Sequence, residues 1–208
     1  MSEAPSIEAR PNGPYMVKGL EDLRGARGEK LATQPVIALC RCGGSAKKPF
    51  CDGSHKKIGF SSAKLADGSA DRRETYRGKR IAIHDNRGLC AHAGYCSDGL
   101  ASVFKYGAEP WIDADGAALE AIVATIRKCP SGALSYSVQG VEHRDQARPP
   151  AIAVTKDGPY AVVGRIRLDT IPGKGASTEH YTLCRCGASK NKPFCDGSHW
   201  SAGFKDGA

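Results

Sequence analysis

Three cysteines and one histidine occur within sixteen residues, and the same arrangement occurs again near the end of the chain. The two sets are Cys40, Cys42, Cys51 and His55, and Cys184, Cys186, Cys195 and His199. Both have the spacing C-x-C-x8-C-x3-H, and the second set begins 144 residues after the first. Three thiolates and one imidazole form a complete four-ligand site, and these ligand types suit either zinc or an iron–sulfur cluster.

The spacing within each set favours the cluster. Structural zinc sites usually have about two to four residues between their first two cysteines, whereas only Arg41 separates Cys40 from Cys42. Alternate residues of an extended segment point the same way, so these two sulfurs can bind one iron. Cys51 and His55 lie four residues apart, which is one turn if a helix begins between them, and can bind a second iron. We therefore expect a binuclear [2Fe–2S] cluster with Cys3His ligation; a zinc knuckle is the alternative.

The residues around these ligands resemble those of the CDGSH iron–sulfur family, whose members include mitoNEET-like proteins. The shared residues are Ser45, Pro49, Phe50 and Asp52-Gly53-Ser54, repeated as Ser189, Pro193, Phe194 and Asp196-Gly197-Ser198. The resemblance implies that each set of ligands holds one [2Fe–2S] cluster. CDGSH proteins of the mitoNEET type are homodimers with a shared β-rich cap. Two copies in one chain therefore imply a monomer that is an intramolecular pseudo-dimer with an internal two-fold.

A third group of cysteines lies between the two copies, at Cys90, Cys96 and Cys129-Pro130. Bacterial ferredoxins carry the run C-x2-C-x2-C and a distant C-P. The offset from Cys90 to Cys96 equals that between the first and third cysteines of such a run, and Ala93 takes the middle position. This segment therefore resembles the single-cluster bacterial ferredoxins that lack one cysteine and carry [3Fe–4S]. It also resembles the divergent mono-cluster domain found beside CDGSH repeats.

Three thiolates leave one iron corner of the middle cluster without a cysteine. The resemblance thus implies either [3Fe–4S], or [4Fe–4S] with a fourth ligand other than cysteine. His92, one residue from the missing position, is the candidate for that ligand. Three buried free cysteines without a cluster are the alternative for this segment.

The repeat also divides the chain into units of an α+β fold. We expect a flexible leader over residues 1–12, a first CDGSH unit over 13–62, an inserted ferredoxin-like α+β unit over 80–138 and a second CDGSH unit over 158–208. Polar segments over 61–79 and 140–157 are expected to join them. In each CDGSH unit, a strand after Gly-Pro-Tyr and a second strand lead into the ligands, and Asp52 or Asp196 caps a short helix. Phe60 and Phe204 are expected to fill a small core beside each cluster.

The middle unit has its own pattern of elements. Arg80–His84 and Leu134–Val138 are expected to be strands. An amphipathic helix with Leu119 and Ile122 on one face is expected between them, capped by Asp115 and ending at Lys128.

Cysteine use and apolar content indicate where the protein works. The three triplets include all nine cysteines, which favours reduced thiolate ligands over disulfides and therefore a reducing compartment. The N-terminal stretch lacks the apolar run of a signal peptide, and no segment has about 18 consecutive apolar residues. We expect a cytoplasmic protein without a membrane partner.

The formal net charge of +8 raises the question of a nucleic-acid partner. The Lys and Arg residues are spread along the chain without an aromatic platform or a helix-turn-helix pattern, which argues against one. Lys47, Lys48, Lys190 and Lys192 instead cluster inside the two sets of ligands. A Cys3His [2Fe–2S] cluster carries a charge of about −1, or about −2 when reduced. We expect these lysines to offset that charge, raise the reduction potential and attract an acidic redox partner.

The sequence as a whole indicates an electron carrier and not an enzyme, because it has no catalytic triad, P-loop or dinucleotide fingerprint. Histidine ligation makes a cluster easier to reduce, as in Rieske centres. The alternative is a donor of clusters to an apo iron–sulfur acceptor, or a pH or redox sensor. Protonation of a ligand histidine competes with the metal, so such a cluster should be labile.

Overall fold

The structure is a computed structural model that describes residues 4–65, 71–170 and 173–206. Within these ranges it is mostly β-sheet with a few short helices, which confirms the α+β fold class. The strands are β1 (Ser6–Ala9), β2 (Tyr15–Lys18), β3 (Leu23–Arg24), β4 (Lys30–Leu31), β5 (Val36–Leu39), β6 (Arg73–Arg77), β7 (Ala82–Asn86), β8 (Leu134–Val138), β9 (Val141–His143), β10 (Ala151–Val154), β11 (Tyr160–Val163), β12 (Arg167–Leu168) and β13 (Tyr181–Leu183). The α-helices are α1 (Ser54–Lys57), α2 (Tyr95–Gly99), α3 (Leu119–Ile126) and α4 (Ser198–Ser201).

The first sheet has the strand order β12-β1-β2-β5. Its strands alternate between a buried and an open face, because successive side chains of a strand point to opposite sides. In β2, Tyr15 and Val17 are buried and Lys18 is exposed. Tyr15 lies opposite Leu39 of β5, and Val17 lies opposite Ile7 of β1. The end of β5 leads directly into the first ligand loop, which we define as Cys40–His55.

The second sheet repeats this arrangement in the order β13-β11-β10-β3-β4. Tyr160 of β11 lies opposite Leu183 of β13, just as Tyr15 lies opposite Leu39. The end of β13 leads into the second ligand loop, defined as Cys184–His199.

Each half of the chain contributes strands to the sheet of the other half. β3 pairs in parallel with β10 through Leu23 and Ile152, and β12 pairs in parallel with β1 through Leu168 and Ile7. The buried apolar side chains of both sheets form one core, whose members are Ile7, Tyr15, Val17, Leu20, Leu23, Ile37, Leu39, Ile152, Val154, Tyr160, Val162, Ile166, Tyr181, Leu183 and Phe194. Neither ligand loop is therefore supported by its own half alone.

The start of the chain differs from the sequence-based expectation of a flexible leader over residues 1–12. Ser6–Ala9 forms β1, which pairs with β2 on one side and with β12 on the other. Ile7 is 2% exposed and belongs to the shared core, so burial of this side chain and two sets of strand hydrogen bonds hold the segment. Residues 1–3 of the expected leader lie outside the described residues.

The third sheet forms the middle unit, with the antiparallel order β6-β7-β8-β9. Leu134–Val138 is a strand, as predicted, while the predicted strand Arg80–His84 is shifted to Ala82–Asn86. α3 begins at Leu119, not next to Asp115, because the Asp115 carboxylate instead accepts a hydrogen bond from the main-chain N–H of Lys79, 2.8 Å away. α3 packs its buried residues, including Ile122, against this sheet.

The segments expected to be plain joins contain strands. β6 lies within the first of them, and β9 and β10 lie within the second. The sheet of the middle unit therefore extends beyond residues 80–138, and that of the second CDGSH unit begins before residue 158. In the ranges that the structure describes, no helix is both long enough and apolar enough to cross a membrane.

Candidate metal centres

The first ligand loop is a hairpin that extends from β5. The N–H of Cys40 donates to the carbonyl of Pro49 at 2.7 Å, and the N–H of Cys51 donates to the carbonyl of Ala38 at 2.8 Å. These two bonds bring the C-x-C segment beside the third cysteine. The Sγ atoms of Cys40 and Cys42 are 3.8 Å apart, as expected for alternate residues of an extended segment.

The second pair of ligands in this loop is Cys51 and His55. Gly53, with φ +88°, makes the turn into α1, and the His55 Nδ1 atom lies 3.4 Å from the Cys51 Sγ atom. The carboxylate of Asp52 accepts hydrogen bonds from the N–H groups of Ser54 and Ala46, at 3.0 and 2.8 Å. Together with the Ser54 hydroxyl, these bonds lower the pKa of Asp52 below its ordinary range. Asp52 thus binds the first turn of the helix and closes the loop at the same time.

The second ligand loop has the same geometry. The Sγ atoms of Cys184 and Cys186 are 3.8 Å apart, and Cys195 Sγ lies 3.5 Å from His199 Nδ1. Asp196 accepts hydrogen bonds from the N–H groups of Ser198 and Lys190, as Asp52 does in the first copy. The structure therefore places the eight residues predicted as ligands in four close pairs, two in each loop.

In each loop the four ligands form two pairs and do not converge on one point. Across residues 4–65, 71–170 and 173–206, no three His, Cys, Asp or Glu side chains are grouped closely enough to surround a single metal ion. Main-chain N–H groups point at the sulfurs: Gly44 donates to Cys42, Gly53 to Cys51 and Ala188 to Cys186, each at 3.4 Å. Such bonds stabilise thiolates and tune iron–sulfur centres.

The two ligand loops touch each other at their second cysteines. Cys42 and Cys186 form an antiparallel bridge, and the following residues, Gly43 and Gly187, have φ of +77° and +80°. A Cβ atom at either glycine would lie 2.6 Å from the carbonyl oxygen of the opposite cysteine. Only glycine allows this approach.

The middle site, defined as Cys90, Cys96 and Cys129, lines a cavity of about 570 Å³. Cys90 follows a 3₁₀ helix, Cys96 lies on α2, and Cys129 follows α3 by three residues. The fold thus brings Cys129 to the cavity that Cys90 and Cys96 also line. Ala93, at the position of the missing cysteine, lines the same cavity. Burial raises the pKa of Cys90 to about 11, which means that a bound cation must favour its thiolate form.

The chain matches two families at the segments that carry these sites. Residues 12–56 and 157–200 match the family described as iron-binding zinc finger, CDGSH type, and residues 76–139 match a divergent 4Fe-4S mono-cluster family. The chain belongs to the CDGSH iron–sulfur family. A CDGSH iron-sulfur domain-containing protein 3, mitochondrial, from Mus musculus is 54% identical over 35 residues, which is 17% of this chain and 22% of that protein. The uncharacterized protein YjdI of Escherichia coli (strain K12) is 38% identical over 61 residues, 29% of this chain and 80% of YjdI.

His92, the candidate fourth ligand of the middle site, lies at the edge of the same cavity. Its main-chain N–H donates to Cys90 Sγ at 3.3 Å. Its ring packs against Gly197 in the turn of the second CDGSH loop, where a Cβ atom on the glycine would lie 2.6 Å from His92 Cδ2. Ligation by this imidazole stays a prediction.

Aromatic and charged side chains line the rest of the middle cavity. The Arg87 guanidinium lies 4.7 Å from the centre of the Trp111 ring, which also packs against Tyr76 and Phe104. Asp85 behind them has a side chain only 1% exposed, and burial raises its pKa to about 7.

Four residues that support the CDGSH loops were not assigned a role from the sequence. Each loop holds a buried arginine between its first two cysteines: Arg41 lies 5.1 Å from the ring centre of Tyr15, and Arg185 lies 5.7 Å from that of Tyr160. The sequence signal for these residues is repetition, because both copies contain Cys-Arg-Cys and Gly-Pro-Tyr.

The two phenylalanines predicted beside the clusters also contact these arginines. Phe60 lies 5.8 Å from Arg41 and is buried with Cys40 and Cys42. Phe204 lies 5.0 Å from Arg185.

The four loop lysines fall into two kinds. Lys48 and Lys192 donate from Nζ to the carbonyl oxygens of Ser45 and Ser189 and so hold the loop conformation. Lys47 and Lys190 differ from these two in being exposed to solvent.

Proposed function

We propose that this CDGSH protein is an electron carrier with two Cys3His [2Fe–2S] clusters and one [3Fe–4S] or [4Fe–4S] cluster at the middle site. The single observation that carries the proposal is the paired geometry of the CDGSH ligands. When bound, such clusters accept and release one electron at a time.

The paired ligands support a binuclear cluster. Two sulfurs at 3.8 Å, and a sulfur and a nitrogen at 3.4 Å, suit two separate irons. A zinc ion would require all four donors of the loop around one centre. Ligation by Nδ1 of His55 and His199 is supported by the side of the ring that faces the cysteine sulfur.

The strand exchange supports an intramolecular pseudo-dimer. An offset of 145 positions relates Leu23 to Leu168 and Ile7 to Ile152, so it converts the pair Leu23–Ile152 into the pair Leu168–Ile7. The same offset relates Tyr15 to Tyr160. This monomer with an internal two-fold would take the place of two separate CDGSH chains, with the ferredoxin-like unit inserted between its halves.

Surface charge supports exchange with an acidic redox partner protein. Lys47 and Lys190 are exposed on the ligand loops, next to the sites whose charge becomes more negative on reduction. Oriented lysines increase the rate at which an acidic partner meets the cluster.

Cluster donation to an apo iron–sulfur acceptor is the second candidate, and one observation favours it. His55 and Cys51 of the first CDGSH site are partly exposed, so an acceptor thiolate or a proton can reach the first site. A histidine ligand that takes up a proton releases the metal.

One experiment separates the two candidates. The loaded protein is mixed with an apo-ferredoxin, and cluster movement is followed by the appearance of the acceptor's spectrum, while electron exchange is followed with a reduced carrier protein. The proposal predicts fast, reversible electron exchange and no cluster transfer on the same timescale. Transfer of clusters as fast as electron exchange would support the donor and contradict the carrier.

A further inference from the structure

The two CDGSH sites have nearly the same sequence but different surroundings. His199 is 5% exposed and Cys195 is 3% exposed, whereas their counterparts His55 and Cys51 are both partly exposed. Lys192 is buried as well, at 7%. Because the two ligand loops are so similar in sequence, residues outside the loops must cover the second site.

The middle unit supplies this cover. The His92 ring packs on Gly197, and Asn191 donates from Nδ2 to the carbonyl of Gly88 at 3.3 Å. The middle unit thus packs against the second CDGSH site.

His92 connects the two sites through its main chain. Its N–H donates to the Cys90 sulfur at 3.3 Å, and its carbonyl accepts a hydrogen bond from Trp200 Nε1 at 3.0 Å. His92 has φ +54°, a main-chain conformation that is unusual for a residue other than glycine. This conformation allows the N–H and the carbonyl of His92 to make the two hydrogen bonds.

Trp200 completes the connection to the second site. Its ring lies 5.2 Å from the ring of the ligand His199, centre to centre, at an angle of 37°. A continuous path of two hydrogen bonds and one ring contact therefore runs from Cys90 to His199. The position equivalent to Trp200 in the first CDGSH unit is Lys56, which can form neither the indole hydrogen bond nor the ring contact.

We propose that His92 and Trp200 form the electron path between the middle site and the second CDGSH site. This inference rests on the proposed function as an electron carrier. One electron leaves the reduced middle site, which is thereby oxidised, and reduces the second CDGSH site; no bond forms or breaks. A one-electron donor protein of lower potential, such as a reduced flavoprotein or ferredoxin, restores the middle site.

The path continues to the first CDGSH site. Cys42 and Cys186 are in direct main-chain contact, so the two CDGSH sites are adjacent in the fold. His55 is the more open of the two ligand histidines, which makes the first site the end that an electron acceptor reaches. The order of the relay is then middle site, second site, first site.

The test compares Trp200→Phe with the unaltered, fully loaded protein. Trp200 is 67% exposed, so the substitution leaves the core intact while removing the Nε1 donor. A photochemically generated flavin semiquinone reduces the protein, and freeze-quench EPR follows the electron from the middle site to the second site. The rate is expected to fall about tenfold, because the substitution removes the hydrogen bond from Trp200 to the His92 carbonyl that links the two sites. Lys56→Ala, at the equivalent position of the first unit, is the matched control and should leave the rate unchanged.

Unchanged electron movement in a fully loaded Trp200→Phe protein would overturn the inference. A second measurement decides the matter if that variant loses its cluster. In partly reduced protein, the EPR relaxation of the middle site should slow when Cys195→Ser removes the second cluster, and should not change when Cys51→Ser removes the first. The opposite pattern would overturn the inference. A preparation without iron and acid-labile sulfide would instead contradict the proposed function itself.

Discussion

The hydroxyl group of Tyr160 donates a hydrogen bond to the main-chain carbonyl of Cys40, 2.8 Å away and 120 residues earlier in the chain. It also lies 3.0 Å from the carbonyl of Pro49. The Tyr15 hydroxyl makes the same contacts with Cys184 and Pro193, at 2.9 and 2.8 Å. Each ligand loop is therefore held by a tyrosine of the opposite half, which couples the integrity of each metal site to the exchange of strands between the halves.

Replacement of Tyr160 by Phe should weaken the first site more than the second. The change removes the fully buried hydroxyl and leaves two carbonyl groups of the first loop without this donor, at a cost of about 1–3 kcal/mol in the free energy of unfolding. Denaturant unfolding measures that cost, and the rate of cluster release from each site measures its location. Tyr15→Phe is the mirror control and should act on the second site. Faster release from the second site in Tyr160→Phe would contradict the coupling.

Replacement of His55 by Cys should slow the loss of the first cluster in acid and lower its reduction potential. A thiolate carries a charge that the neutral imidazole lacks, and loss of a protonated imidazole is no longer available. The decay of visible absorption at low pH and a redox titration measure the two effects. His199→Cys is the matched variant; its effect on acid loss should be smaller, because His199 is 5% exposed. If His55→Cys loses its cluster as fast as the parent does, the histidine is not the labile ligand.

Replacement of Glu179 by Gln should destabilise the protein near neutral pH by about 3 kcal/mol, because it breaks a largely buried ion pair with Arg148. Burial raises the pKa of Glu179, but the Arg148 guanidinium and the Gly164 N–H outweigh this and lower the pKa from 4.5 to about 2. The folded carboxyl binds its proton less readily than the unfolded one, so its stabilising effect is fully present above pH 4.5 and is lost as the pH falls towards 2.

The measurement for Glu179 is the difference in unfolding free energy between the parent and Glu179→Gln as a function of pH. This difference should shrink between pH 4.5 and 2. Glu120→Gln is the control, because Glu120 forms an exposed ion pair with Arg80 that should contribute less than about 1 kcal/mol. A difference that grows as the pH falls would contradict the assigned ion pair.

Replacement of Ala93 by Cys should convert a [3Fe–4S] cluster at the middle site into a [4Fe–4S] cluster. Ala93 lines the cavity of the middle site at the position where ferredoxins have a cysteine, so a thiolate there supplies the missing iron ligand. If the parent holds [3Fe–4S], its EPR signal in the oxidised protein should disappear and a signal of reduced [4Fe–4S] should replace it. Ala93→Ser is the control of similar size and should convert the cluster less completely. An oxidised signal of undiminished intensity in Ala93→Cys would place residue 93 outside ligand reach.

The ligands could be predicted from the sequence because their geometry is local. The sulfurs of Cys40 and Cys42 meet through the alternation of an extended segment, and Cys51 and His55 meet through one turn. The strand exchange could not be predicted in the same way. β3 and β12 are two-residue strands whose partners lie in the other half. The alternation over 165–168 predicts a strand where β12 lies, but it does not identify β1 as the partner of that strand. Because β1 pairs with β12 of the other half, the sequence alone predicts a flexible leader over residues 1–12, which includes Ile7.

The difference in burial between the two CDGSH sites also could not be predicted from the sequence. The ligand spacings are identical, and the difference arises from contacts made by His92, a residue of the middle unit, with Gly197 and Trp200. The only local signal was the exchange of Lys56 for Trp200. The start of α3 could not be predicted from the sequence either. The Asp115 side chain accepts a hydrogen bond from the Lys79 N–H and does not cap the helix, which begins at Leu119.

The most direct test of the central claim is a metal and acid-labile sulfide analysis of the purified protein, combined with Mössbauer spectroscopy. We predict about two iron and two sulfide ions for each CDGSH loop, with one iron of each pair bound by two cysteines and the other by cysteine and histidine. A colourless protein that contains zinc and no acid-labile sulfide would contradict the account.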